Sequence, residues 1–143
     1  MTIDNIIAGL GLIGIGGLLK VGFDYLIATK KAKTDAKQEF KEKRYKAIIL
    51  LCYSLVYYDR EKTTLIINRP DIQSKERLIN EIMAEFINMS LYASDKVIYT
   101  MKKFIELQNN QALNNIALSM RKDLYGIRTK LKGDEFEISV KFD

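Results

Sequence analysis

Arg121, Tyr125 and Arg128 stand at spacings of four and three, so a continuous helix would carry two guanidiniums and a phenol on one face. With Lys122 beside it, such a face can hold a small anionic ligand. Planar guanidinium forks match phosphate or carboxylate oxygens, and a phenol offers a ring for stacking. The same cations also suit a plain helix end, where positive charge complements the dipole and Gly126 stops the helix. Asp123, next to Arg121 and Lys122, is expected to form structural ion pairs. Lys20 and Asp24 are a second charged set, four apart and able to pair along a helix. In an oligomer they would line a hydrated constriction; near an interface Lys20 would reach toward headgroups. Glu81 and Glu85 also share a helix face. A carboxylate-bridged metal site in a helical bundle needs histidine companions, so these two are expected on a solvated face.

Histidine is absent from the chain and Cys52 is its one cysteine. That composition removes histidine acid–base catalysis, the Ser-His-Asp triad, thiolate metal sites and an internal disulfide. The run Gly9-Leu10-Gly11-Leu12-Ile13-Gly14 matches the dinucleotide pattern G-x-G-x-x-G. Lysines rather than an acid follow at the required distance, and no strand–helix alternation surrounds the run. We therefore expect no catalytic residues, no metal ligands and no cofactor, and no sequence-specific nucleic-acid binding.

The elements that would position these residues begin with an apolar segment. Ile6 to Leu19 is uncharged, and with Lys20 and Asp24 as its only interruptions the segment continues to Ala28. About 20 helical residues cross a bilayer, so Ile6–Ala28 is expected to span one. A cleaved signal would want basic residues before the apolar run, whereas here Lys30, Lys31 and Lys33 follow it. Gly9, Gly11, Gly14, Gly16 and Gly17 would each weaken a helix in water. In lipid they allow close backbone approach, and self-association of the helix is the expectation.

Charge places the rest. From Lys30 to Lys46 eight basic and three acidic residues give a net +5, equal to that of the whole chain. The excess is thus a stripe beside the membrane, drawn to anionic headgroups. Positive-inside reasoning sets the N-terminus outside and the remainder in the cytoplasm, as a single-pass protein of the inner membrane. Residues 1–33 are read as anchor with basic flank, and 34–143 as the cytoplasmic part.

That part is expected to be mainly α, an antiparallel four-helix bundle with a short C-terminal strand. Ala47–Tyr58 is apolar apart from Ser54 and would be buried nearly all round. Pro70 breaks the chain. Leu78, Ile79, Ile82, Met83, Phe86 and Ile87 repeat with helical spacing, as do Val97, Ile98, Met101, Phe104 and Ile105 after a Ser94 cap. Leu113, Ile116, Ala117, Met120 and Leu124 form the last set. Phe136, Ile138, Val140 and Phe142 then alternate with polar residues, the period of a half-buried strand. Its partner within the chain would be Thr63–Ile67; otherwise it would add to a second subunit.

The residues Leu91-Tyr92-Ala93-Ser94-Asp95-Lys96-Val97, Phe104 and Met120-Arg121-Lys122-Asp123-Leu124 resemble a loose group of uncharacterised small bacterial proteins. Those have one N-terminal membrane helix and a helical cytoplasmic domain. The layout is also similar, in architecture alone, to small CRISPR-associated membrane effectors gated by cyclic oligoadenylates. Two functions follow as expectations. One is a membrane-anchored, self-associating module that recruits a cytoplasmic protein partner without catalysis. The other is an effector that senses an anionic nucleotide through Arg121, Lys122, Tyr125 and Arg128 and perturbs the bilayer.

Overall fold

The structure, a computed structural model, describes residues 3–136, with side chains from Lys20 onward. The chain is mainly helical, in the order α1 (Ile3–Val56), α2 (Tyr58–Asn68), α3 (Lys75–Met89), α4 (Asp95–Leu107) and α5 (Asn110–Tyr125). It divides into two compact units, Met1–Glu39 and Phe40–Asp143.

In the first unit, the described part of α1 is exposed from Lys20 to Lys37. Lys30, Lys31 and Lys33 are open to solvent, and Lys20 and Asp24 are exposed with no ion pair joining them among the described residues. The backbone at Gly9, Gly11, Gly14, Gly16 and Gly17 is helical, and their surroundings lie outside the described residues. Among the described residues, no helix is long and apolar enough to cross a membrane. Most of the Ile6–Ala28 segment precedes Lys20 and so falls outside that statement.

The second unit buries one shared core. Tyr45, Ile48, Leu51, Cys52 and Leu55 enter it from α1, and Leu65 from α2. Leu78, Ile82 and Met89 come from α3, Val97, Met101 and Phe104 from α4, and Leu113, Ile116 and Met120 from α5. Each set keeps the three- and four-residue spacing that puts side chains on one helix face.

Several expectations need correction. Thr63–Ile67 is helical, within α2. Its helical period turns Leu65 inward and leaves Ile67 74% exposed, and Asp59 and Glu61 favour the helix by standing in its first turn. Ala47–Tyr58 is buried on one side only: Leu50 is 65% exposed, and a single non-helical residue, Tyr57, separates α1 from α2. Glu81 and Glu85 do not lie on a solvated face. Glu85 is held by Arg44 of α1 at 2.5 Å, and Glu81 by Arg69 at 2.9 Å and Arg77 at 3.4 Å. Half-buried carboxylates need such partners, because an unpaired charge there loses hydration without compensation. From residue 137 on, the alternating C-terminal segment lies outside the described residues; Phe136 stands in a turn.

Helix ends explain how the loops are aimed. The Ser74 side chain accepts from the Arg77 backbone N–H at 3.1 Å and starts α3. Ser94 occupies the cap position of α4 without a side-chain capping bond. Asn109 caps α5 through the Ala112 N–H at 2.8 Å. Gly126 ends α5 at φ 66°, a left-handed turn that glycine adopts without a Cβ clash.

Candidate functional site

Helix α5 separates two sets of cations. Arg121 and Tyr125 line an apolar groove of about 480 Å³ against α1, with Ile49, Leu50, Ala117 and Leu124. The Tyr125 phenol is engaged by the Glu42 carboxylate, which pushes the phenol's pKa up. Lys46 and that same phenol hold Glu42 below the usual carboxylate range. Lys122 and Arg128 line a different groove, of about 740 Å³, on the side of α4. The single helical face expected for Arg121, Tyr125 and Arg128 therefore does not exist. The left-handed turn at Gly126 takes the chain off the helix axis, and Arg128 rides on the following strap, residues 126–133.

Between the two grooves Asp123 turns inward. Its Oδ2 accepts from Lys41 Nζ at 2.6 Å, from the Tyr45 phenol at 2.5 Å and from the Ser94 backbone N–H at 3.4 Å. Its expected ion pair is thus made with Lys41 of α1, not with its neighbours Arg121 or Lys122. Burial pushes the Tyr45 phenol's pKa upward, and the Asp123 carboxylate pushes it in the same direction.

The larger groove is built from α4, α5 and the strap. Lys96, Tyr99, Thr100 and Lys103 face it from α4. Gln111, Asn115, Ser119 and Lys122 face it from α5, and Arg128, Thr129 and Leu131 close it from the strap. Thr100 donates to the Ser119 hydroxyl at 2.9 Å, tying the two helices at its floor. The strap is held by the buried Asn114, whose amide donates to the Gly133 carbonyl at 3.0 Å. A Cβ at Gly133 would stand 2.5 Å from Asn115 Oδ1 and 3.2 Å from the Gln111 carbonyl, so a larger residue must displace the Asn115 side chain or lift the strap. Four cations and no carboxylate line this groove among the described residues. Lys103 has an outside partner, Glu106 at 3.5 Å, and its ammonium lies 5.8 Å from the Tyr99 ring centroid.

A second apolar surface joins α3 to α4. Met83, Ala84, Phe86 and Ile87 of α3 and Ile105 of α4 surround a shallow hollow whose margin carries Lys102 and Glu106. Met83 is 50% and Ile87 67% exposed. Sequence spacing assigns both to the core-facing band, but Leu78 and Ile82 already fill the buried face of α3.

Lys96, Tyr99 and Lys103 escaped the sequence reading. Their one legible signal is the i, i+3, i+7 spacing on α4, which competes with the stronger apolar period of Val97, Met101 and Phe104. No group of acidic or cysteine residues able to hold a metal ion occurs among the described residues. No protein-family model matches the chain, and no curated protein or solved structure shows significant similarity to it.

Proposed function

We propose that this protein is a membrane-anchored, self-associating helical module that works by binding rather than catalysis, with residues 6–28 as its anchor. The single observation that carries the reading is the Met83–Ile87 face. A soluble helix face of this kind is normally covered, because large contiguous apolar exposure marks an interaction surface. The occupant we assign is a second copy of the chain. A two-fold contact places one patch against itself, so the patch must complement its own charges. At the margin of the Met83–Ile87 face Lys102 and Glu106 stand 4.0 Å apart on α4, one charge of each sign to set against a second copy.

The anchor is supported by the apolar length of Ile6–Ala28 and the lysines that follow it. The remaining helices form a bundle-like unit that presents the docking face and the grooves beside α5.

Two measurements test this reading. Full-length protein is expected in the membrane fraction and to resist alkaline carbonate extraction. Its mass in mild detergent is expected to be that of a defined oligomer, which Met83→Lys with Ile87→Lys reduces. A carbonate-soluble protein overturns the anchor, and an oligomer unchanged by both substitutions overturns the docking face.

A further inference from the structure

The α4–α5 groove is a binding site of a different kind, and its chemistry goes beyond self-association and does not depend on it. We propose that it binds a phosphate-bearing small molecule through Lys96, Lys122 and Arg128.

Charge balance is the first argument. Carboxylates are almost as frequent as cations along this chain, eighteen against twenty-three, and several cations of the helical unit pair with one. Arg44, Arg69, Arg77, Lys41 and Lys46 all make ion pairs. Among the described residues Lys96, Lys122 and Arg128 make none, yet they converge on one concavity from α4, α5 and the strap. Like charges brought together in a hollow with no carboxylate among its described lining residues repel one another. A bound anion removes that repulsion, and the field of such a cleft concentrates anions from solution.

Donor chemistry is the second. Around the cations stand Gln111, Asn115 and Thr129, two amides and a hydroxyl able to reach phosphate oxygens that the cations leave free. The first turn of α5 also lies in the wall, adding the positive end of a sixteen-residue helix. Size is the third argument. A groove of about 740 Å³ suits a small molecule, since ligand pockets span about 300–1,000 Å³. Its partner could be a free phosphorylated metabolite or the phosphate headgroup of a lipid, which share this recognition chemistry.

The test uses full-length protein in a neutral detergent, titrated calorimetrically with inorganic pyrophosphate at two ionic strengths. We expect saturable binding that weakens with salt. Lys122→Gln with Arg128→Gln is expected to weaken it about tenfold or more, the loss of two charge-assisted contacts. Lys46→Gln with Arg121→Gln removes equal charge from the opposite side of α5 and is expected to leave affinity within about twofold. All four side chains lie on the surface, and helicity by circular dichroism checks that each variant folds. Equal losses in the two double variants overturn the site. If pyrophosphate gives no heat, stabilisation in phosphatidylglycerol over phosphatidylcholine nanodiscs, lost in Lys122→Gln with Arg128→Gln, assigns the phosphate to a lipid headgroup. Absence of both effects overturns the proposal.

Discussion

The phenol of Tyr45 on α1 donates to the carboxylate of Asp123 on α5 at 2.5 Å, across 78 positions of chain. The same carboxylate oxygen takes Lys41 and the backbone N–H of Ser94, so one side chain ties α1, α5 and the start of α4. That third contact also accounts for Ser94, whose own side chain makes no cap: the loop before α4 is fixed from outside by Asp123.

Acid is expected to loosen this junction. Burial works against the charge of Asp123, but hydrogen bonds from Lys41 and Tyr45 outweigh it and hold the carboxyl below its usual range. Its folded pKa is depressed, so its stabilisation is present above the unfolded value, about 4, and is lost as pH falls through the folded one. Urea denaturation followed from about pH 7 to about pH 3 should show a fall in stability that is smaller in Asp123→Asn. Asp123→Ala is expected to cost about 1–3 kcal/mol at neutral pH. An identical acid profile in Asp123→Asn would assign the linkage to other carboxylates.

The two serine caps should behave differently. Ser74→Ala removes a hydrogen bond to the Arg77 N–H and is expected to cost about 1 kcal/mol. Ser94→Ala removes no side-chain capping bond and should cost less than about half of that. Thermal denaturation of the two variants side by side measures the difference; equal costs would contradict it.

Glycine is required at two places for two reasons. Gly126 sits at φ 66° with open space around it, so Gly126→Ala meets only backbone strain of about 1 kcal/mol, and Gly126→Asn less. Gly133 has no room for a Cβ, so Gly133→Ala must displace Asn115 or lift the strap. We expect a loss of about 1–3 kcal/mol for Gly133→Ala, with faster proteolysis after residue 126. Unchanged proteolysis would mean that Asn115 moves instead.

Cys52 should be silent in the folded protein. It is wholly buried, and burial pushes its thiol's pKa upward, so little of the reactive thiolate forms. A disulfide exchange reagent is expected to label it only after urea is added. Rapid labelling in buffer would show that the core opens around α1.

Sequence periodicity revealed the apolar bands of α3, α4 and α5 and most of their stops, but not α2. Pro70, the polar Gln108–Gln111 turn and Gly126 all bound helices, because a missing N–H, a cap or a left-handed residue acts within a few positions. What the spacing concealed was width. The apolar band of α3 includes Met83 and Ile87, and nothing local distinguishes the part that meets the core from the part left bare. Thr63–Ile67 shows the same limit: its β-branched residues favour a strand, while burial of Leu65 within a helix prevails.

Composition alone excluded histidine and multi-cysteine chemistry, and local pattern alone determined that the chain is helical with a basic stripe near its start. Which charges meet was decided by tertiary structure. Asp123 directly follows Arg121 and Lys122 in the chain yet pairs with Lys41, and Lys122 lines a groove with Arg128 and Lys96 rather than with Tyr125. The physical reason is that helical period specifies a direction about one axis, whereas an ion pair or a groove needs two or three axes placed together. Their placement follows from how Tyr45, Phe104, Ile116 and the rest of the core close-pack, a property of all the helices at once.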